Sequence, residues 1–210
     1  KDIKSDIKEF KVIDFILPGQ LGFAILAASV FGTAFLFYNL RITLVLKRFF
    51  TTPIKKIHII LAECTARAFV QLSAAIFIIL VGYYFLDFTL INGWITFINM
   101  VILCLIGLFT FMSYGFIISG IAKTEAIIPP LANIVTLPQF ILAGSFFPIE
   151  NLPKWLQYIA EILPLTHFNN ALRAVSFEGA NLWDIKYEIV ILLLWGVLSY
   201  FIATKTFKWT

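Results

Sequence analysis

Five stretches of the chain carry no charged residue and approach or exceed the length of a membrane crossing: Phe15–Tyr38, Ala68–Leu86, Trp94–Ala122, Ala126–Ile149 and Ile189–Thr204. The hydrocarbon core of a bilayer takes about 20 apolar residues of helix. These runs are continuous, without the alternation a membrane barrel needs. Backbone groups in lipid must be satisfied within the element itself, which leaves helices. The pattern therefore predicts an all-α integral membrane protein, one transmembrane domain over 1–210. Its five transmembrane helices fall at about 15–38, 57–86, 94–122, 126–149 and 187–204. Helical patterning carries the second span back to about Ile57. The fifth takes in Tyr187 and Glu188 at its interfacial end. Ahead of the first span, Ile3, Ile7 and Phe10 share one helical face among charges, which reads as a surface helix.

The polar connections set the expected orientation. Residues 41–56 hold Arg41, Lys47, Arg48, Lys55 and Lys56 without an acid, and Lys205 and Lys208 lie in the tail. The positive-inside rule places this loop, the Lys123 turn and the C-terminus in the cytoplasm. The segments 87–93 and 150–177 then fall outside, as does the N-terminal segment. Trp94, Trp183 and Trp209 sit near the expected interfaces, where amphipathic rings settle. An outside start with five crossings gives an inside end, and that parity leads us to expect a further helix upstream.

Composition agrees with this reading. Hydrophobic residues make up 60% of the 210 and charged residues only 13%; a soluble domain carries about a quarter charged. The net charge of +4 is confined to the ends of apolar runs, so no broad basic surface exists to neutralise nucleic-acid phosphates. Cys64 and Cys104 both lie in apolar runs without metal-ligand spacing. No Walker A sequence, nucleophile elbow or paired-acid site is present, so the chain reads as a non-enzyme with no cofactor of its own.

Four segments are candidates for function. In the basic loop, Leu44, Phe49 and Phe50 alternate with Arg41, Lys47 and Arg48 until Pro53 ends the pattern. Such an amphipathic helix can lie on lipid headgroups or dock a cytoplasmic partner. Glu63 and Arg67, four apart, share a helix face and can pair, as an interfacial ion pair or as a gating element. His58 has no second ligand nearby. The fourth span holds Pro129, Pro130, Pro138 and Pro148 with Gly144, and Pro138 is expected to bend it. Beyond it, Asn151 is expected to cap a helix containing Pro153 and Trp155 and stopped by Pro164. Thr166 is expected to cap a second helix reaching Arg173. The two form a patterned hairpin rather than a plain link.

These residues resemble the membrane (permease) subunits of type-two ABC exporters, which include drug, antibiotic and polysaccharide exporters. The likeness is carried by Leu137-Pro138, Gly144-Ser-Phe-Phe-Pro148-Ile-Glu, Leu152-Pro153-Lys-Trp155, Leu163-Pro164-Leu-Thr166 and Ala171-Leu-Arg173, with Pro18-Gly19 and Pro53 as lesser matches. The resemblance implies six helices per subunit and a dimer with a second permease copy, identical or a close paralogue. It implies separate ABC ATPase subunits, which bind ATP and Mg and hydrolyse the nucleotide. It makes residues 41–56 a coupling helix against that ATPase and residues 150–177 an outer re-entrant hairpin. Many members carry an acid-rich, Gly-containing stretch where this chain has Asn39-Leu-Arg-Ile-Thr. The expected function is the transmembrane subunit of an ATP-driven exporter in the cell membrane; the competing reading is a membrane scaffold or assembly factor with the same fold. The aromatic-rich spans suit an amphipathic or lipid-linked cargo.

Overall fold

The computed structural model describes residues 11–43 and 56–206, with residues 56–61 described by their backbone alone. Leu44, Lys47, Arg48, Phe49, Pro53 and the surface helix expected over 1–10 lie outside the described residues, as does the side chain of His58.

Seven helices are described: α1 (Val12–Ile42), α2 (Lys56–Phe85), α3 (Trp94–Ile121), α4 (Ile128–Leu142), α5 (Lys154–Ile162), α6 (Pro164–Arg173) and α7 (Lys186–Thr206). Single 3₁₀ turns precede α4 (Glu125–Ile127) and α5 (Ile149–Asn151), and a π-helical turn (Ala174–Glu178) follows α6. Five helical segments are long and apolar enough to cross a membrane, namely α1, α2, α3, α4 with its 3₁₀ turn, and α7. The chain is thus a multi-pass, all-helical membrane protein. The 31 residues of α1 span roughly 46 Å at 1.5 Å per residue, so α1 projects beyond the hydrocarbon core.

Burial divides these helices into two centres and a periphery. In the apolar windows of α1 and α3, 56% and 50% of residues are buried, against 22% in each of the other three. The central pair approaches closely because α3 places Gly115 against α1. A Cβ there would lie 2.6 Å from Thr33 Cβ and 2.7 Å from the Val30 carbonyl oxygen. One turn along, the Phe37 and Phe116 rings pack at 4.2 Å between centroids. On its other side α3 receives α7, where Thr110 Oγ1 donates to the Leu192 carbonyl (3.2 Å). Tyr200 Oη donates to the Phe109 carbonyl (3.1 Å). The outward faces of α2 and α7 expose Phe69, Phe77, Leu194 and Val197, as helices bathed in lipid do.

The fourth span departs from its expected limits. α4 ends at Leu142, not near residue 149, because Gly144 takes a φ of +68° and turns the chain out of the helix. Pro138 lies inside α4, where it withholds a donor from the Ile134 carbonyl.

The Gly115 contact is against backbone and a β-branched side chain, neither of which can swing aside. Gly115→Ala is expected to destabilise the detergent-solubilised protein by about 1–3 kcal/mol, seen as a lower thermal midpoint. Gly196→Ala, whose Cβ would meet Thr110 Oγ1 at an ordinary 3.4 Å, should leave the midpoint nearly unchanged. Equal effects would refute the packing argument.

Candidate functional site

Polar side chains gather at the two ends of the α1–α3 pair and along the α1–α2 seam. At the end where α1 begins, the chain folds back as the α5–α6 hairpin. Pro153, not Asn151, occupies the N-cap of α5, and no side chain caps it. Asn151 is taken up in the preceding 3₁₀ turn. Pro164 both follows α5 and starts α6, since its missing N–H costs nothing in a first turn. Thr166 is therefore inside α6 rather than capping it. Its hydroxyl donates back to the Ala160 carbonyl at 2.6 Å. His167 Nε2 meets the Glu161 carbonyl at 2.8 Å, and Trp195 Nε1 of α7 donates to the Ile162 carbonyl at 3.0 Å. Three consecutive carbonyls at the end of α5 are thus satisfied from α6 and α7. Trp155, Tyr158 and Ile162 of α5 remain exposed.

The buried side of α6 carries Asn169 and Arg173 to the turn after α4. Asn169 Nδ2 donates to the Ala143 carbonyl (3.0 Å) and to Ser145 Oγ (3.2 Å). Arg173 is 7% exposed. Its Nε and Nη2 both donate to the Phe15 carbonyl of α1, at 3.3 and 3.2 Å, and Nη2 also donates to the Gly144 carbonyl at 2.5 Å. The guanidinium lies 3.7 Å from the centre of the Phe15 ring, a cation–π contact strengthened by desolvation. Burial pushes Arg173 down to about 10, with the Glu150 charge acting in the opposite direction; it stays cationic at neutral pH. The backbones meet closely here because α1 presents Gly19 and Gly22. A Cβ at Gly19 would lie 2.5 Å from the Ser145 carbonyl oxygen, and one at Gly22 would strike Asn169 Oδ1. Of the residues expected from sequence, Gly144 and Arg173 come together, and Pro148, Pro153 and Pro164 shape the loop that joins them.

Beside this junction, Asp14 is buried and accepts from Thr89, Oδ1 from the amide at 2.7 Å and Oδ2 from the hydroxyl at 2.9 Å. Lys11 Nζ donates to the Asp87 carbonyl at 3.1 Å. The α2–α3 loop is thereby fastened to the start of α1. Asp14 was not among the sequence candidates; its signal was a single acid placed just before a long apolar run.

At the opposite end, Arg41 turns inward. Nη1 donates to the Gly120 carbonyl at 3.2 Å and Nη2 to the Ala122 carbonyl. A cation at the C-terminus of α3 also complements that helix's dipole. Along the seam, Ser29 Oγ donates to Gln71 Oε1 at 2.9 Å. The Glu63 and Arg67 charges interact, and the guanidinium of Arg67 lies over Gly32, where a Cβ would meet Nη1 at 2.8 Å.

The bundle, with its five helices long and apolar enough to cross a membrane, is that of a multi-pass membrane protein, and sequence comparison gives its family. The model of the ABC-2 type transporter membrane family matches residues 3–177. The chain belongs to this family. It is similar to ABC transporter G family member 20 of Dictyostelium discoideum, at 26% identity over 196 residues, covering 92% of this chain and 26% of that protein. Nodulation protein J of Neorhizobium galegae is 30% identical over 102 residues, 49% of this chain and 38% of that one. The inner membrane transport permease YhhJ of Escherichia coli is 29% identical over 105 residues, 50% of this chain and 28% of that one. The chain therefore spans well under half the length of each of these relatives.

Replacing Thr166 by Val keeps its shape and leaves the buried Ala160 carbonyl without that donor. The Leu163 amide still donates to that carbonyl at 3.1 Å, so the expected cost is about 0.5–1.5 kcal/mol, concentrated in the hairpin. Hydrogen exchange of the α5 amides should accelerate while the α3 amides stay protected; unchanged α5 exchange would show that the bond does not hold the hairpin.

Proposed function

We propose that this chain is the membrane-spanning subunit of an ATP-driven ABC exporter, working with separate ATPase subunits and a second permease copy, identical or closely related. The observation that carries the reading is that α1 is fastened at both ends within a chain of this family. Arg173 ties its beginning to the hairpin, and Arg41 ties its end to α3. A push delivered to the 41–56 loop would reach α1 at its C-terminal end and pass along a helix that cannot slide freely against α3. In this reading the loop and the C-terminus are cytoplasmic, the hairpin lies outside, and residues 41–56 dock on the ATPase. ATP and Mg belong to that partner.

The mechanism is a shift between two states of the permease. An ATPase moves it only by binding one state better than the other. Reversing a 1:99 population takes about 5.5 kcal/mol of differential affinity, and each ~1.4 kcal/mol less leaves the ratio about tenfold short of that. Pro138 and Gly144 bound the last turn of α4, so that turn and the hairpin beyond it are the segment where such a shift can be accommodated. The path itself is assigned to the dimer, between the two permease copies. The relatives' names include a multidrug permease and nodulation proteins, and an amphipathic cargo suits the aromatic content of the spans.

Two substitutions separate docking from transmission. Charge reversal of Lys47 and Arg48 is expected to reduce recovery of the ATPase in a membrane pull-down by about tenfold, a loss of roughly 1.4 kcal/mol, while membrane insertion is retained. Arg41→Ala should leave the ATPase bound but lower substrate-stimulated hydrolysis, because the Arg41 guanidinium holds α3 rather than facing outward. A chain that recruits no ATPase would favour the scaffold reading. Full association after charge reversal would remove the loop from the docking surface.

A further inference from the structure

A cavity of about 610 Å³ opens beside the Arg173 junction, within the range of about 300–1,000 Å³ typical of small-molecule sites. Its depth is set by two membrane-crossing helices. Val12 and Phe15 come from the first turns of α1, and Glu188 from the first turn of α7. The cavity therefore lies where apolar helix gives way to polar surface, the level of lipid headgroups in a bilayer.

Its polar lining carries both signs of charge. Arg173 is nine-tenths buried, and its Nε and Nη2 are spent on backbone carbonyls. Its Nη1 donates to no acceptor among the described residues, and the guanidinium lines the cavity. It is a rigidly held donor, since three hydrogen bonds and the Phe15 ring fix its plane. Lys11 lines the cavity as well, its Nζ held by the Asp87 carbonyl at 3.1 Å, and so do Glu150, Glu178 and Glu188. None of the three carboxylates accepts a hydrogen bond among the described residues, although the Glu150 charge acts on Arg173. Val12 is 74% exposed at the mouth, an apolar side chain that a passing hydrocarbon would cover.

We propose that this cavity binds the headgroup of a zwitterionic phospholipid of the ethanolamine type. The phosphate accepts from Arg173 Nη1, the ammonium sits among Glu150, Glu178 and Glu188, and the acyl chains leave past Val12. The charge pattern selects against the alternatives. An anionic headgroup would satisfy Arg173 but face three carboxylates against two cations, Arg173 and Lys11, with no cation of its own to offer. A free phosphate would do the same and leave Val12 bare.

The test uses the full-length protein in detergent, with native mass spectrometry of retained lipid. Short-chain phosphatidylethanolamine and phosphatidylglycerol are supplied in equal amounts. Phosphatidylethanolamine is expected to be retained about tenfold over phosphatidylglycerol, equivalent to roughly 1.4 kcal/mol. Glu178→Gln with Glu188→Gln should abolish that preference. Glu178→Gln alone, at an exposed position of the π-helical turn, should reduce it about threefold, as partly exposed charge pairs do. An unchanged thermal midpoint shows that the fold has held. Equal retention of the two lipids by the unaltered protein would overturn the proposal, as would a preference that survives both carboxamide substitutions. Displacement of the lipid by soluble O-phosphoethanolamine at a matching concentration would overturn the lipid assignment and give the site to a soluble ligand.

Discussion

A carbonyl oxygen that loses its helical donor where packing shields it from water costs several kcal/mol if left bare. This chain creates such carbonyls wherever it turns. α4 stops at Leu142, two residues before Gly144, α5 at Ile162, before Pro164, and α3 at Ile121. At each stop a side chain from elsewhere supplies the missing N–H or O–H. Asn169 and Arg173 serve the turn after α4; Thr166, His167 and Trp195 serve the end of α5; Arg41 serves the end of α3. Because each donor sits on a different element from its acceptor, satisfying the backbone and assembling the bundle are one process. The close packing at Gly19 belongs to one of these junctions, since a Cβ there would lie 2.5 Å from the Ser145 carbonyl oxygen in the turn that Asn169 and Arg173 serve.

The same constraint explains the choice of arginine at both ends. Its guanidinium presents five donors in a fixed plane and holds its charge when partly buried. Arg173 uses that geometry to reach carbonyls on α1 and after α4 at once, and Arg41 to reach two successive carbonyl sites at the end of α3. A lysine could satisfy one such group well but could not span two elements with a defined orientation. The permanent positive charge is also suited to helix C-termini, where carbonyl dipoles converge.

The number and order of crossings were legible in the sequence because lipid imposes a long, uninterrupted apolar run, a signal that needs no knowledge of neighbours. The hairpin was legible as a pattern, through its prolines and amphipathic spacing, and Arg173 and Gly144 stood out within it. What could not be read was the direction of individual polar groups. Thr166 looked like an N-cap because it follows a proline at the usual spacing. Its hydroxyl turned backward because Pro164 had already begun the helix and the Ala160 carbonyl lay within reach. Arg41 looked like part of an outward basic face, yet the end of α3, far away in sequence, offered carbonyls that compete for it. Asp14 was hidden for a similar reason: its partner, Thr89, is 75 residues away. Periodicity gives the face on which a side chain lies, whereas the identity of its partner depends on helix pairing.

The Arg173–Phe15 bond has a bearing on how the protein is made. Its donor and acceptor lie 158 residues apart, so the carbonyl leaves the ribosome long before the guanidinium exists. At 5–20 residues per second the interval is roughly 8 to 30 s. Within α1 that oxygen already accepts from the Gly19 amide, so the helix can form and insert without the guanidinium, whose bonds are added later. The hairpin therefore docks onto a helix already formed, and closing the Arg173 contact becomes one of the last steps of biogenesis.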